Sequence, residues 1–209
     1  MRRPLLLAGA VAGPVYIGVG TIEAVVRDGY DIRVHALSLL ANGSFGWIHS
    51  TMMVVTGVLT ILGMLGLRRA VPRAAFVGLL VYGLGLVAAG FMRADPSYGF
   101  PIGTPDGPPT SASWHGVGHF VAGGIGFIGL IVACLVVARR AEGGWRVFST
   151  VTGLGYLGAF VGIATGGGNA AGNLVFTAAV ILGWAWITAL MLSGSLVTRP
   201  FITWQEVPA

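Results

Sequence analysis

Six apolar runs, each about twenty residues long and each closed by arginine, proline or a polar turn, leave this chain few ways to fold. A run of that length crosses a ~30 Å hydrocarbon layer as a helix. In lipid, every backbone N–H and C=O must find its partner within the segment, so such a run is helical. The expected spans are about 5–26, 47–67, 74–92, 114–138, 147–165 and 172–196. Only 9% of the residues are charged and 55% are hydrophobic, where a soluble domain has about a quarter of its residues charged. The predicted fold is therefore all-α, a polytopic membrane helix bundle forming a single domain over residues 1–209, with the lipid bilayer as its partner.

The net charge of +5 comes from twelve basic residues, every one an arginine. They sit at the ends of the apolar runs, as topology charges do, rather than on one basic face, which excludes nucleic acid as a partner. With six spans both termini share a side. That side collects Arg2, Arg3, Arg68, Arg69, Arg73, Arg139, Arg140, Arg146 and Arg199, against Arg27, Arg33 and Arg93 on the other. The bias predicts cytoplasmic termini in a multi-pass protein of the cell membrane. The short apolar stretch before Ala8-Gly9-Ala10 is a poor signal core, and the first run reads as a retained helix. Cys134 is the single cysteine and reads as a small packing residue.

Glycine spacing adds detail. Gly9 and Gly13 are one turn apart and predict a close helix contact, as do Gly158, Gly162 and Gly166. Segment 32–41 reads as a short interfacial helix. The five-proline loop from Asp95 to Ser113 reads as an ordered lid or a spacer.

The polar chemistry gathers at one end. His35, His49, His115 and His119, together with Glu23 and Asp95, fall on or near the side opposite the termini. His115 and His119 are four residues apart and share a helix face. The plainer reading is that these histidines hydrogen-bond loop carbonyls and headgroups and tie the long loops to the bundle; the sharpest is a metal site for zinc or another transition metal, with His49, Asp95, His115 and His119 as ligands. An open position there would make a metal-dependent membrane hydrolase, and Ser50 would hydrogen-bond nearby. Three histidines, an aspartate and a serine at one membrane face resemble the seven-helix ceramidase and adiponectin-receptor type of zinc hydrolase in residue types, not in helix number or order. HExxH is absent. Haem between His49 and His115 or His119 is a weaker alternative. Glu23 and His35 are further candidates at this mouth, Glu23 as an acid at membrane depth or as an interface residue paired with Arg27, His35 as a residue facing headgroups or folding over the bundle. Two other classes compete: a transporter or binding protein for a small molecule or lipid, and a structural membrane partner without catalysis.

Residues 12–49 (AGPVYIGVGTIEAVVRDGYDIRVHALSLLANGSFGWIH), the Gly-Leu-Arg-Arg-Ala end of the second span, FMRADPSYGFPIGTP at 91–105 and SWHGVGHFVAG at 113–123 together resemble the domain-of-unknown-function 998 family of bacterial integral membrane proteins. The resemblance implies about six helices in a bacterial membrane. It implies no activity and no catalytic residues.

Overall fold

A computed structural model of the protein describes residues 2–165 and 169–196. Six long helices account for the six runs: α1 (Arg2–Val26), α2 (Gly46–Leu67), α3 (Arg73–Phe91), α4 (Trp114–Arg140), α5 (Gly143–Thr165) and α6 (Ala170–Leu196). All six are long and apolar enough to cross a membrane, and the described residues form no β-strand. Five of the spans begin one to four residues earlier than the hydropathy pattern predicts, and α4 begins at Trp114 as expected. Four of them, α1, α2, α3 and α5, begin at glycine or arginine, residues that carry little hydropathy but still fit the first helical turn.

Consecutive helices run antiparallel, and α6 returns to lie against α1, so the six form a ring. Lipid offers no hydrophobic drive for helix pairing, so close backbone approach has to supply it. Gly9 faces Gly63 across α1 and α2, where a Cβ would come within 2.7 Å of the opposite Cα. Gly78 of α3 lies against the Gly129 carbonyl of α4, and Gly13 of α1 against the Trp184 carbonyl of α6. The predicted contact at Gly9 and Gly13 is therefore present. The stripe on α5 is different: Gly158 and Gly162 have nothing within 4 Å, and Gly166 lies outside the described residues. α5 instead packs through Gly153 on Cys134 and Leu135, and through a buried bond from Trp186 Nε1 to Ser149 Oγ at 2.9 Å.

The outer faces are apolar as well. On α4, Val117, Val121, Ile125, Ile128 and Val132 are exposed at helical spacing, the surface of a helix solvated by lipid. Buried hydroxyls inside the bundle are satisfied locally, as when Thr56 and Thr60 donate to the carbonyls of Met52 and Thr56.

Two long connections cap one end of the ring. The first holds a 3₁₀ turn, Leu37–Ala41, in place of the expected longer interfacial helix. The second, from Met92 to Ser113, is an ordered cap. Its Phe100 is buried beside Leu39, Leu40 and Ala94, and Ser97 and Phe100 bridge each other. Tyr98 sits at φ +54, a left-handed conformation held by its bond to the Gly107 carbonyl.

Candidate functional site

Glu23 closes the last turns of α1 and His49 opens α2, so the antiparallel pairing of the two helices brings them together. His49 Nδ1 lies 2.8 Å from Glu23 Oε2 in a contact sealed from solvent, with His49 wholly buried. The Tyr16 ring packs edge-on against the imidazole. Arg27 stands 3.7 Å from Glu23 Oε1. The expectation that Glu23 reaches the interface with Arg27 is thus half met: Arg27 is its neighbour, but His49 is its hydrogen-bond partner and the carboxylate is buried. Arg27 also reaches over the Phe100 ring and donates to the carbonyls of Leu40 and Asn42 at 3.1 and 2.6 Å. One side chain therefore ties α1 to both capping loops.

Asp95 takes part in a different structure. Ser113 is the N-cap of α4, its hydroxyl accepting from Gly116 N–H. The same hydroxyl donates to Asp95 Oδ1 at 2.5 Å, and Ser113 N–H donates to Oδ2 at 2.9 Å. These two bonds, with His115 nearby, hold the Asp95 carboxyl below the usual carboxylate range. His115 Nδ1 donates to Ser113 Oγ and the Arg93 carbonyl, and its side chain is 43% exposed. The Asp31 carboxyl, on the first loop, is drawn down to about 2 by its bonds to Arg33.

His35 spends both ring nitrogens within the cap. Nδ1 accepts from Asp31 N–H, and Nε2 donates to the Tyr98 carbonyl. His119 Nδ1 donates to the carbonyls of Met92 and Ala89 at 2.7 and 3.0 Å. Ser50 Oγ is buried without a partner among the described residues.

The four expected ligands are thus divided. His49 belongs to Glu23, Asp95 and His115 to the α4 cap, and His119 to the end of α3. No three His, Cys, Asp or Glu side chains among the described residues stand where they could hold one metal ion. The expected cluster at His49, Asp95, His115 and His119 does not assemble. The physical reason is that each side chain meets a nearer backbone or side-chain partner. His49, the expected haem partner of His115 or His119, is fully enclosed and bonded to Glu23.

What the ring encloses is a cavity of about 200 Å³. Every helix contributes a wall: Tyr16 from α1, Met53 from α2, Tyr82 from α3, Phe127 from α4, Phe160 from α5 and Phe176 from α6. Ala36, Leu37 and Ser38 of the first loop roof it. Gly123 and Gly124 leave room in its α4 wall, where a Cβ on Gly123 would meet nothing closer than 4.0 Å. No arginine, aspartate or glutamate lines it among the described residues; its polar groups are His119, Tyr156, Thr177, Ser38 and the other tyrosines. A second space of about 490 Å³ runs between α1 and α6 beneath residues 30–33. It shares Tyr16, Leu37, Thr177 and Val180 with the chamber. The two helices touch at Gly13 and Trp184 but part toward the loops, where Gly20 has nothing within 4 Å. Nothing in the sequence marks these spaces, because their linings are the same phenylalanines, tyrosines and glycines that pack any helix pair.

A family model described as "Protein of unknown function (DUF998)" matches residues 10–193. No curated protein and no solved structure matches the chain.

Proposed function

We propose that this chain, which belongs to the DUF998 family and so inherits no assigned activity, is a membrane receptor or carrier for a lipid-like small molecule held in its central chamber. The observation that carries the reading is the chamber itself: one apolar cavity to which all six helices contribute aromatic or aliphatic walls, with a few polar groups set into them. That is the composition of a small-molecule site. The groove between α1 and α6, with Asp31 and Arg33 of the first loop at its loop end, shares four wall residues with the chamber and would give a lipid chain a way between the two helices. A metal-dependent hydrolase needs about three protein donors converging on one point. The donors here are spent separately, so binding is the reading carried forward.

The arginine imbalance across the bundle supports a setting in the cell membrane with both termini cytoplasmic and the capped mouth facing outward. Gly123→Leu tests the function. A Cβ at this chamber-lining position meets nothing closer than Phe127 Cε2 at 4.0 Å, so the larger side chain takes up chamber volume. Mass spectrometry of protein released from detergent micelles should show a bound lipid on wild type that survives collisional activation, and Gly123→Leu should lose it. The same adducts on both proteins would reject the chamber as the binding site.

A further inference from the structure

The groove between α1 and α6 carries charge at one end only. Asp31 and Arg33, on the loop that follows α1, are the charged residues among its described walls, and the remainder is aliphatic, aromatic or hydroxyl-bearing. Asn173, in the first turn of α6, donates to the Arg33 and Val34 carbonyls at 3.3 and 2.8 Å and fastens this part of the loop across the start of that helix. The pair therefore stands where two apolar spans end, at the level of lipid headgroups.

The pair is closed on one edge and open on the other. Arg33 Nε donates to Asp31 Oδ1 and Oδ2 at 3.0 and 3.1 Å, and Nη2 donates to Oδ2 at 2.7 Å. The Arg33 backbone N–H adds a bond to Oδ1 at 2.9 Å. This side-on grip uses Nε–H and one N–H of Nη2. The other guanidinium protons, both on Nη1 and the second on Nη2, have no partner among the described residues, and the side chain is 69% exposed. They form the end-on fork that takes two oxygens of a phosphate. Asp31 keeps acceptor capacity too, since a carboxylate offers about four lone-pair sites and its side chain is 35% exposed.

The sign of the ligand follows from the partner that holds the fork. Asp31 is ionised at any pH near neutral, its carboxyl being drawn down to about 2. A ligand with negative charge alone gains at Arg33 and loses at Asp31. One that carries an ammonium group on a short arm from its phosphate meets both residues with the matching sign. Below them the apolar walls lead to Tyr16, Leu37, Thr177 and Val180, which the groove shares with the chamber. Resting on the chamber reading above, we propose that the ligand is a zwitterionic aminophospholipid of the phosphatidylethanolamine type. Its phosphate docks on the free edge of Arg33, its ammonium donates to Asp31, and an acyl chain runs down the α1–α6 groove into the chamber.

The test offers detergent-purified protein an equimolar mixture of phosphatidylethanolamine, phosphatidylcholine and phosphatidylglycerol with identical chains. Lipid that survives collisional activation is counted by mass spectrometry. Phosphatidylcholine has the phosphate and the positive charge but no ammonium N–H, and phosphatidylglycerol lacks the cation. Wild type should retain phosphatidylethanolamine over either by about fivefold, the scale of an exposed charge contact. Arg33→Gln removes the fork and should cut retention of phosphatidylethanolamine about tenfold. Asp31→Asn removes the negative charge and should let phosphatidylglycerol rise to match phosphatidylethanolamine. Both variants should melt close to wild type, because an exposed ion pair adds little to folding.

Equal retention of the three lipids by wild type, or retention unaltered in either variant, would overturn the headgroup inference. The chamber reading would then stand if Gly123→Leu still loses the lipids. Lipid retained alike by wild type and Gly123→Leu would overturn both.

Discussion

Glu23→Ala strands His49 Nδ1 in the dry interior, and an uncompensated member of a buried pair is expensive. The substitution should lower stability by about 3–5 kcal/mol, whereas Glu23→Leu combined with His49→Leu should recover most of that loss. Reversible thermal unfolding in detergent, read by circular dichroism, measures both. Ser113 gives a second test at this scale. Ser113→Ala removes the α4 cap and should cost about 1 kcal/mol. It also removes the hydroxyl bond that depresses Asp95 most, while the backbone N–H bond stays. A depressed carboxyl contributes stability that is complete above its unfolded value of about 3.9 and is lost as pH falls through the lower folded value. Wild type should therefore lose stability on acidification below about pH 4, and Ser113→Ala should show a flatter profile in the same window. The sequence shows Glu23 and His49 clearly as polar residues at membrane depth. Their pairing could have been inferred from position, since each lies within a turn or so of the same end of two antiparallel helices. Residue type drew attention to the four histidines and Asp95 instead, and type does not reveal that a histidine's proton is already committed to a backbone carbonyl, as it is for His35 and His119.

At the scale of helices, the six spans were legible because lipid imposes a length and a polarity that few other structures satisfy. Which glycines make contacts was less legible. Gly78 and Gly158 look alike in sequence, yet a Cβ at Gly78 runs into the Gly129 carbonyl while one at Gly158 meets open space. Gly78→Ala should force α3 from α4 and destabilise by about 1–3 kcal/mol. Gly158→Ala should stay within about 0.5 kcal/mol of wild type. Parallel melting curves decide the comparison. The loops follow the same logic. Proline and glycine announced the Met92–Ser113 connection, but only the burial of Phe100 and the reach of Arg27 show it to be a fixed cap.

For the molecule as a whole, the ring explains how a chain with almost no mid-membrane polar residues still encloses a chamber. Each helix gives one or two large side chains to a shared space, and no single stretch carries a motif. The groove beside it yields a prediction of its own. A Cβ at Gly20 meets nothing within 4 Å, so Gly20→Phe should narrow the α1–α6 opening and weaken long-chain ligands by roughly tenfold while sparing short-chain analogues. A chain-length series of lipids, read by mass spectrometry of protein released from micelles, would show it, and equal weakening at every length would place the tail elsewhere.

Ring closure also sets a schedule for synthesis. α1 is made first and α6 last, yet the two are neighbours in the finished bundle. Glu23 enters the bilayer with the first helix and meets His49 as soon as the second follows, so its exposure to hydrocarbon is brief. The seam at Gly13 and Trp184 must wait until α6 has been made. Until then the nascent protein is an open curl with its aromatic interior turned toward lipid, and the chamber comes into being only with the last helix.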